Sequence, residues 1–323
     1  MQADAQAGTL WVLVPLYNEA EVLPMLHARV SAVLAALPLP AALLLVDDGS
    51  RDATWADVQA LAAHDARVHG LRLSRNFGKE IALTAGLDAL AREPQLAACV
   101  VMDADLQDPP ELIPQLVARW HDGYDMVYAT RRRRVGESAV KRLTAALFYR
   151  LMGKLSATPV PRDTGDFRLL SARALQALAG LRERQRFMKG LFAWIGYPQT
   201  QVLYDRAPRA AGQTKWNYGK LWRFAVEGIT SFSTVPLRMA TWVGLLTSLL
   251  AFGYGGWIVL KVLLWGIRVP GYASLIVAIL FLGGLQLLAL GIIGEYVGRT
   301  YIESKQRPLY LLADATPPAG RDA

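Results

Sequence analysis

The chain has 323 residues, 53% of them hydrophobic and 19% charged, so it can bury a sizeable core and is too apolar for a disordered polymer. Its formal net charge of +8 suits a polyanionic partner such as anionic lipid or a phosphorylated substrate. Basic and aromatic residues do not interleave as they would in a nucleic-acid binder, and the single cysteine, Cys99, excludes an intrachain disulfide or a cysteine metal cluster.

Apolar runs at Leu10–Val14, Leu43–Val46, Val68–Leu73, Ala98–Met102 and Met126–Ala129 read as strands, and longer helical stretches separate them. The alternation predicts crossover units, hence an α/β domain over residues 1–215 with a mostly parallel, Rossmann-like sheet and helices on both faces. No basic segment followed by an apolar stretch precedes the first strand, so a cleaved signal is not expected and this domain is expected in the cytoplasm. Cys99, inside the fourth run, reads as a small core residue. Ligands of such sheets bind beyond the carboxyl ends of the strands, so polar motifs that directly follow strands carry most information.

After the first strand comes Pro15-Leu16-Tyr17-Asn18-Glu19, and after the second Asp47-Asp48-Gly49-Ser50-Arg51-Asp52. Carboxylates and a flat Tyr at neighbouring strand ends can accept hydrogen bonds from a base or ribose and stack a ring. Gly49 and Ser50 also fit plain turn chemistry, with Asp52 as a helix cap. Neither G-x-G-x-x-G nor G-x-x-x-x-G-K-[ST] occurs, so the nucleotide must be held without a dinucleotide fingerprint or a P-loop.

The strongest signal, Asp103-Ala104-Asp105-Leu106-Gln107-Asp108-Pro109-Pro110-Glu111, follows the fourth strand. Alternate residues of an extended segment point the same way, so Asp103, Asp105 and Gln107 can present oxygens to one hard cation. Such a set with open positions suits Mg²⁺ or Mn²⁺ shared with a diphosphate. Asp108 is expected to cap a helix opened by Pro109. Farther on, Arg131-Arg132-Arg133-Arg134, Lys141-Arg142 and Arg206, Arg209 and Lys215 are cations for an anionic substrate or for a membrane surface.

Ala240–Leu260 and Val269–Gly294 contain no charged residue, and each can cross a hydrocarbon core of about 30 Å. They predict a two-helix hairpin over residues 239–296, turned at Trp265–Arg268 and Pro270-Gly271, with a tail over 297–323. Basic residues flank the outer ends, Lys220, Arg223 and Arg238 before and Arg299, Lys305 and Arg307 after, which predicts cytoplasmic termini. Between them, residues 216–238 carry Trp222, Ala225, Val226, Ile229 and Phe232 at helical spacing, as an interfacial helix or one packed on the soluble domain would.

Pro15 to Glu19, Asp47 to Ser50, Asn76-Phe77-Gly78-Lys79 and Asp103 to Glu111 together resemble glycosyltransferase family 2. Thr164-Gly165-Asp166-Phe167-Arg168-Leu169-Leu170, the two apolar spans and Gly294–Arg299 narrow the resemblance to polyprenyl-phosphate glycosyltransferases, bacterial undecaprenyl-phosphate glucosyltransferases and dolichol-phosphate mannosyltransferases among them. The resemblance implies a GT-A fold, a bacterial cytoplasmic-membrane location, and inverting transfer of one hexose to polyprenyl phosphate, with tetramers possible. It implies a metal on Asp103, Asp105 and Gln107 and a donor site drawn from Pro15, Tyr17, Glu19, Asp47, Asp48, Lys79 and Asp103. Asp166, with Asp105, takes the catalytic role, and Arg131, Arg142 and Lys215 the acceptor phosphate. Phe77-Gly78-Lys79-Glu80 resembles the glucosyltransferase-like members, which favours UDP-glucose. A processive polysaccharide synthase would share the early motifs but carry Q-x-x-R-W, which Arg184-Gln185-Arg186-Phe187 does not match; a non-enzymatic lipid-carrier partner is the other alternative.

Overall fold

A computed structural model describes residues 8–132, 164–184, 186–204, 235–266 and 271–316. The five expected strands are β1 (Thr9–Leu16), β2 (Ala41–Asp47), β3 (Val68–Leu73), β4 (Leu96–Val101) and β5 (Met126–Arg131). Three more complete the sheet: β6 (Thr164–Ser171), β7 (Gln199–Tyr204) and β8 (Leu312–Ala315), in the order β7-β5-β6-β4-β1-β2-β3-β8. Pairing is parallel for β1 with β2 and β4, β2 with β3, and β5 with β7. It is antiparallel where β6 inserts between β4 and β5, and where β8 joins β3. The sheet is therefore mixed but mostly parallel, as in a GT-A domain.

Period-two alternation divides the core between the two faces of the sheet. Leu10, Val12, Val14 and Leu16 of β1 pack on one side with α1 (Leu23–Ala36), α2 (Thr54–His64) and α4 (Ile113–His121). Trp11 and Leu13 turn to the other side, towards α3 (Lys79–Leu90), α5 (Ala172–Gly180) and α6 (Met188–Trp194). Cys99 is fully buried on this second face, and burial pushes its thiol well above the usual range.

Two long helices follow, α7 (Val235–Trp265) and α8 (Tyr272–Ser304). Their apolar stretches, Ala240–Trp265 with mean hydropathy 1.7 and Ser274–Ser304 with 2.6, are long and apolar enough to cross a membrane. Trp242, Phe252, Leu263 and Phe281 point outward from them, as expected where lipid is the surrounding medium. Of the expected amphipathic segment, residues 216–234 lie outside the described residues, while Val235–Arg238 already belong to α7. The second helix also runs past the expected end of the hairpin to Ser304, and part of the expected tail is the strand β8.

Candidate active site

Parallel pairing brings the carboxyl ends of β1, β2, β3 and β4 to one edge, so the polar segments that follow them converge there. The first two segments are stitched together. Asn18 N–H donates to Ser50 Oγ (2.9 Å), Arg51 N–H to Asn18 Oδ1 (2.9 Å) and Glu19 N–H to Thr54 Oγ1 (2.9 Å). Pro15 is still in β1, level with Val46, and Tyr17 lies exposed just beyond the strand. Asp52 accepts from the Thr54 N–H at 3.1 Å, so it serves the start of α2.

Asp47 and Asp48 are both buried, and each is already engaged by the protein. Asp47 Oδ1 accepts from Ser50 N–H (3.0 Å), and its Oδ2 lies 3.3 Å from Arg72 Nε. Asp48 grips the loop after β3, accepting from Phe77 N–H at 2.7 Å and Gly78 N–H at 2.8 Å. Burial raises the Asp48 pKa, an effect these two donors partly offset. Gly49 permits this close docking: it sits at φ +66°, and a Cβ there would lie 2.5 Å from the Arg75 carbonyl carbon. With the loop fixed, Gly78 caps α3 and Lys79 is its first residue.

The segment after β4 is a turn, with Leu106 at φ +56°, rather than the extended run its spacing suggests. Asp103, Asp105 and Gln107 are nonetheless half-exposed while Ala104, Leu106 and Asp108 between them are buried. Gln107 N–H donates to Asp105 Oδ1 (3.1 Å), and Gln107 Oε1 is buried without a hydrogen-bond partner. Asp108 caps no helix. It accepts a hydrogen bond from the Tyr204 hydroxyl of β7, and Pro109 precedes a short 3₁₀ turn, Pro110–Leu112, without side-chain capping.

Asp166 arrives from β6. In the β4–β6 register Val101 pairs with Arg168, so two further residues outward Asp103 comes opposite Asp166. Lys79 Nζ lies between them, 2.6 Å from Asp103 Oδ1 and 2.5 Å from Asp166 Oδ2. Burial alone would lower the Lys79 pKa, but the two carboxylates overrule it and hold the ammonium well above its usual range. Burial likewise pushes Asp166 up, yet Lys79 and Lys189 outweigh it and keep this carboxyl well below the usual range. For Asp103 burial prevails over Lys79 and its pKa is raised.

Three further charged residues surround this pair: Arg168 and Glu80, which lie within the quoted motifs without a role assigned to them, and Lys189, which no motif includes. Arg168 is buried over the Phe192 ring at 3.8 Å and donates to Gly165 O at 2.8 Å, pinning the start of β6; burial lowers its pKa to about 10. Lys189, in the first turn of α6, is lowered by burial against the pull of Asp166. Glu80 is raised to about 7 by burial and by Asp166. Glu80 is legible as the neighbour of Lys79 in the Phe-Gly-Lys-Glu run; Lys189 has no sequence signal, because the chain from β6 to α6 must fold to bring it in.

All-oxygen donors with an orphaned Gln107 Oε1 fit a hard divalent cation, although no three His, Cys, Asp or Glu residues among those described converge as a closed metal cage. Arg131 ends β5 at the same edge of the sheet, its backbone level with Tyr204. Arg142 and Lys215 lie outside the described residues.

Residues 11–179 match the model of glycosyl transferase family 2, and residues 235–300 match that of the GtrB C-terminal hairpin. An uncharacterized glycosyltransferase of Synechocystis sp. is 52% identical, with 94% of this chain and 95% of that protein covered. The bactoprenol glucosyl transferase of Shigella phage SfV is 45% identical, covering 93% of this chain and 97% of the relative. Among solved structures, a glucosyl-3-phosphoglycerate synthase from Mycobacterium tuberculosis in complex with Mn²⁺, UDP-glucose and phosphoglyceric acid aligns with 22% identity and a TM-score of 0.47, over 71% of this chain and 81% of that one.

Proposed function

Because this chain belongs to glycosyltransferase family 2, we propose that it transfers a single hexose, glucose from UDP-glucose, to a polyprenyl phosphate at the cytoplasmic face of a bacterial membrane. The observation that carries the reading is the meeting of Asp103 and Asp166 across β4 and β6, at the edge where the other strand-end motifs gather. The acceptor follows from relatives named as bactoprenol glucosyl transferases and from the helices α7 and α8.

Asp103, Asp105 and Gln107 would hold Mg²⁺ or Mn²⁺. A cation bound there supplies charge compensation for the departing nucleoside diphosphate. Tyr17, Pro15 and Glu19 line the first strand end, where the nucleoside would lie against the stitched loops. Asp47 and Asp48, with their oxygens engaged by Ser50 and by the Phe77 and Gly78 amides, act by shaping those loops.

The acceptor phosphate, with a second pKa of about 6, is an anionic nucleophile at neutral pH and requires no base. One of its oxygens bonds to the anomeric carbon as the bond from that carbon to the diphosphate oxygen breaks. The diphosphate leaves with the electron pair, and attack from the opposite side inverts the centre. Asp166, held ionised by Lys79 and Lys189, is a weak proton acceptor; it orients the sugar and the surrounding cations. Arg131, Arg142 and Lys215 are the cations assigned to the acceptor phosphate.

The test uses full-length protein in detergent with labelled UDP-glucose, undecaprenyl phosphate and Mg²⁺ or Mn²⁺. Labelled lipid should form, and be lost both on chelation and in Asp103→Asn. Transfer that survives both treatments would overturn the metal assignment, and failure to label the lipid would overturn the acceptor.

A further inference from the structure

Antiparallel pairing of β4 and β6 has an electrostatic consequence. It sets two carboxylates, Asp103 and Asp166, opposite each other at the sheet edge, and like charges so placed repel. The repulsion is relieved by a side chain from a third element. Lys79, at the start of α3, reaches both carboxylates because Asp48 fastens the preceding loop through the Phe77 and Gly78 amides. The contact is thus built by three segments far apart in sequence.

The same ammonium is an obstacle to metal binding. Asp103 Oδ1, 2.6 Å from Lys79 Nζ, belongs to the carboxylate assigned to the metal, and two cations on one carboxylate repel strongly at contact distance. Removing the ammonium without providing for it elsewhere would leave it unpaired in a site that also holds Lys189 and Arg168. A nucleoside diphosphate resolves this, since its oxygens can receive the ammonium as the metal takes Asp103. A divalent cation and a diphosphate carrying two negative charges add no net charge, so the balance of the cluster is kept.

On the reading of a metal and nucleotide site given above, we propose that Lys79 is a resident counter-cation of the metal-site carboxylate Asp103 and of its neighbour Asp166. It holds Asp103 and Asp166 together while the donor is absent and gives up Asp103 only when metal and diphosphate arrive together. The site thereby takes its metal as the nucleotide complex.

The test is Mn²⁺ binding followed by electron paramagnetic resonance, on full-length protein in detergent, with and without UDP and without any acceptor. The wild type should bind Mn²⁺ weakly alone and more tightly with UDP. Lys79→Gln should bind Mn²⁺ without UDP about tenfold or more tighter than the wild type, since the competing charge is gone. Lys79→Arg, which keeps the charge, should remain as weak as the wild type. Lys79→Met serves the same purpose if Lys79→Gln does not give a cooperative melt. Mn²⁺ affinity without UDP that is unchanged or weaker in the neutral variant would overturn the proposal, as would an Arg variant that binds as tightly as Gln. If UDP still tightens binding in those cases, the metal and nucleotide site itself stands. Absence of Mn²⁺ binding in every arm would sink both.

Discussion

Gly49 and Glu80 show how single residues shape the site without touching the reacting atoms. Gly49 is held at φ +66°, where a Cβ would also strike the Arg75 backbone at 2.5 Å. Gly49→Ala should therefore cost about 1–3 kcal/mol and loosen the Lys79 loop. A melting temperature in detergent equal to that of the wild type would contradict this. Glu80, half-buried near Asp166, keeps its proton up to about pH 7 in the folded chain, whereas the unfolded chain releases it in the ordinary glutamate range. Between those limits the folded state binds more protons, so wild-type stability is lost as pH rises through about 7. Glu80→Gln removes that penalty, and its melting temperature relative to the wild type should climb from about pH 5 to about pH 7.5. Parallel curves would show that Glu80 is not buried as described. At this scale the sequence was informative where a motif follows a strand directly. That Asp103, Asp105, Gln107 and Lys79 lie at the strand-end edge could be expected from their places just after strands, and the roles given to them are proposals. That Asp48 binds loop amides, and that Asp108 meets Tyr204, depends on pairings across the fold that spacing does not encode.

Among the elements, the first five strands were legible because each is built around an apolar run, continuous and buried on both faces in β1, β2 and β4 and interrupted in β3 by His69, Gly70 and Arg72. The other three were not. β6 mixes Thr, Gly, Asp and Arg with its apolar residues, and β7 alternates exposed polar positions along the sheet edge. β8 is four exposed residues long, and its partner strand lies far back in the sequence. β8 nevertheless ties the end of the chain to the catalytic domain. Gly70 N–H donates to Thr316 Oγ1 (2.7 Å), Trp55 Nε1 to Asp314 (3.2 Å) and the Tyr310 hydroxyl to buried Asp88 (3.0 Å). Arg72, opposite Asp314 in the register, also reaches Asp47, so this strand borders the proposed nucleoside site. Deleting residues 307–323 should lower the melting temperature and weaken UDP binding. An unchanged melt and UDP affinity would show that the pairing of β8 with β3 is dispensable.

For the whole molecule, the same strand constrains topology. If α7 and α8 cross a membrane as proposed, a tail that pairs with β3 lies on the same side as the catalytic domain, which calls for an even number of crossings. The basic residues flanking the hairpin lead to the same expectation. A fluorescent protein fused to the C-terminus should fluoresce in bacteria, and an alkaline phosphatase fused there should be inactive; an active phosphatase would break the topology. The Lys79, Asp103 and Asp166 cluster would then face the cytoplasm, where nucleotide-sugars are made. The central claim is the transfer of one glucose to a lipid phosphate with inversion, and it is tested most directly by the product. Mass spectrometry and anomeric NMR of the lipid made from UDP-glucose and undecaprenyl phosphate should show one hexose per phosphate, in the β configuration. A polymer, or a single glucose in the α configuration, would contradict the account.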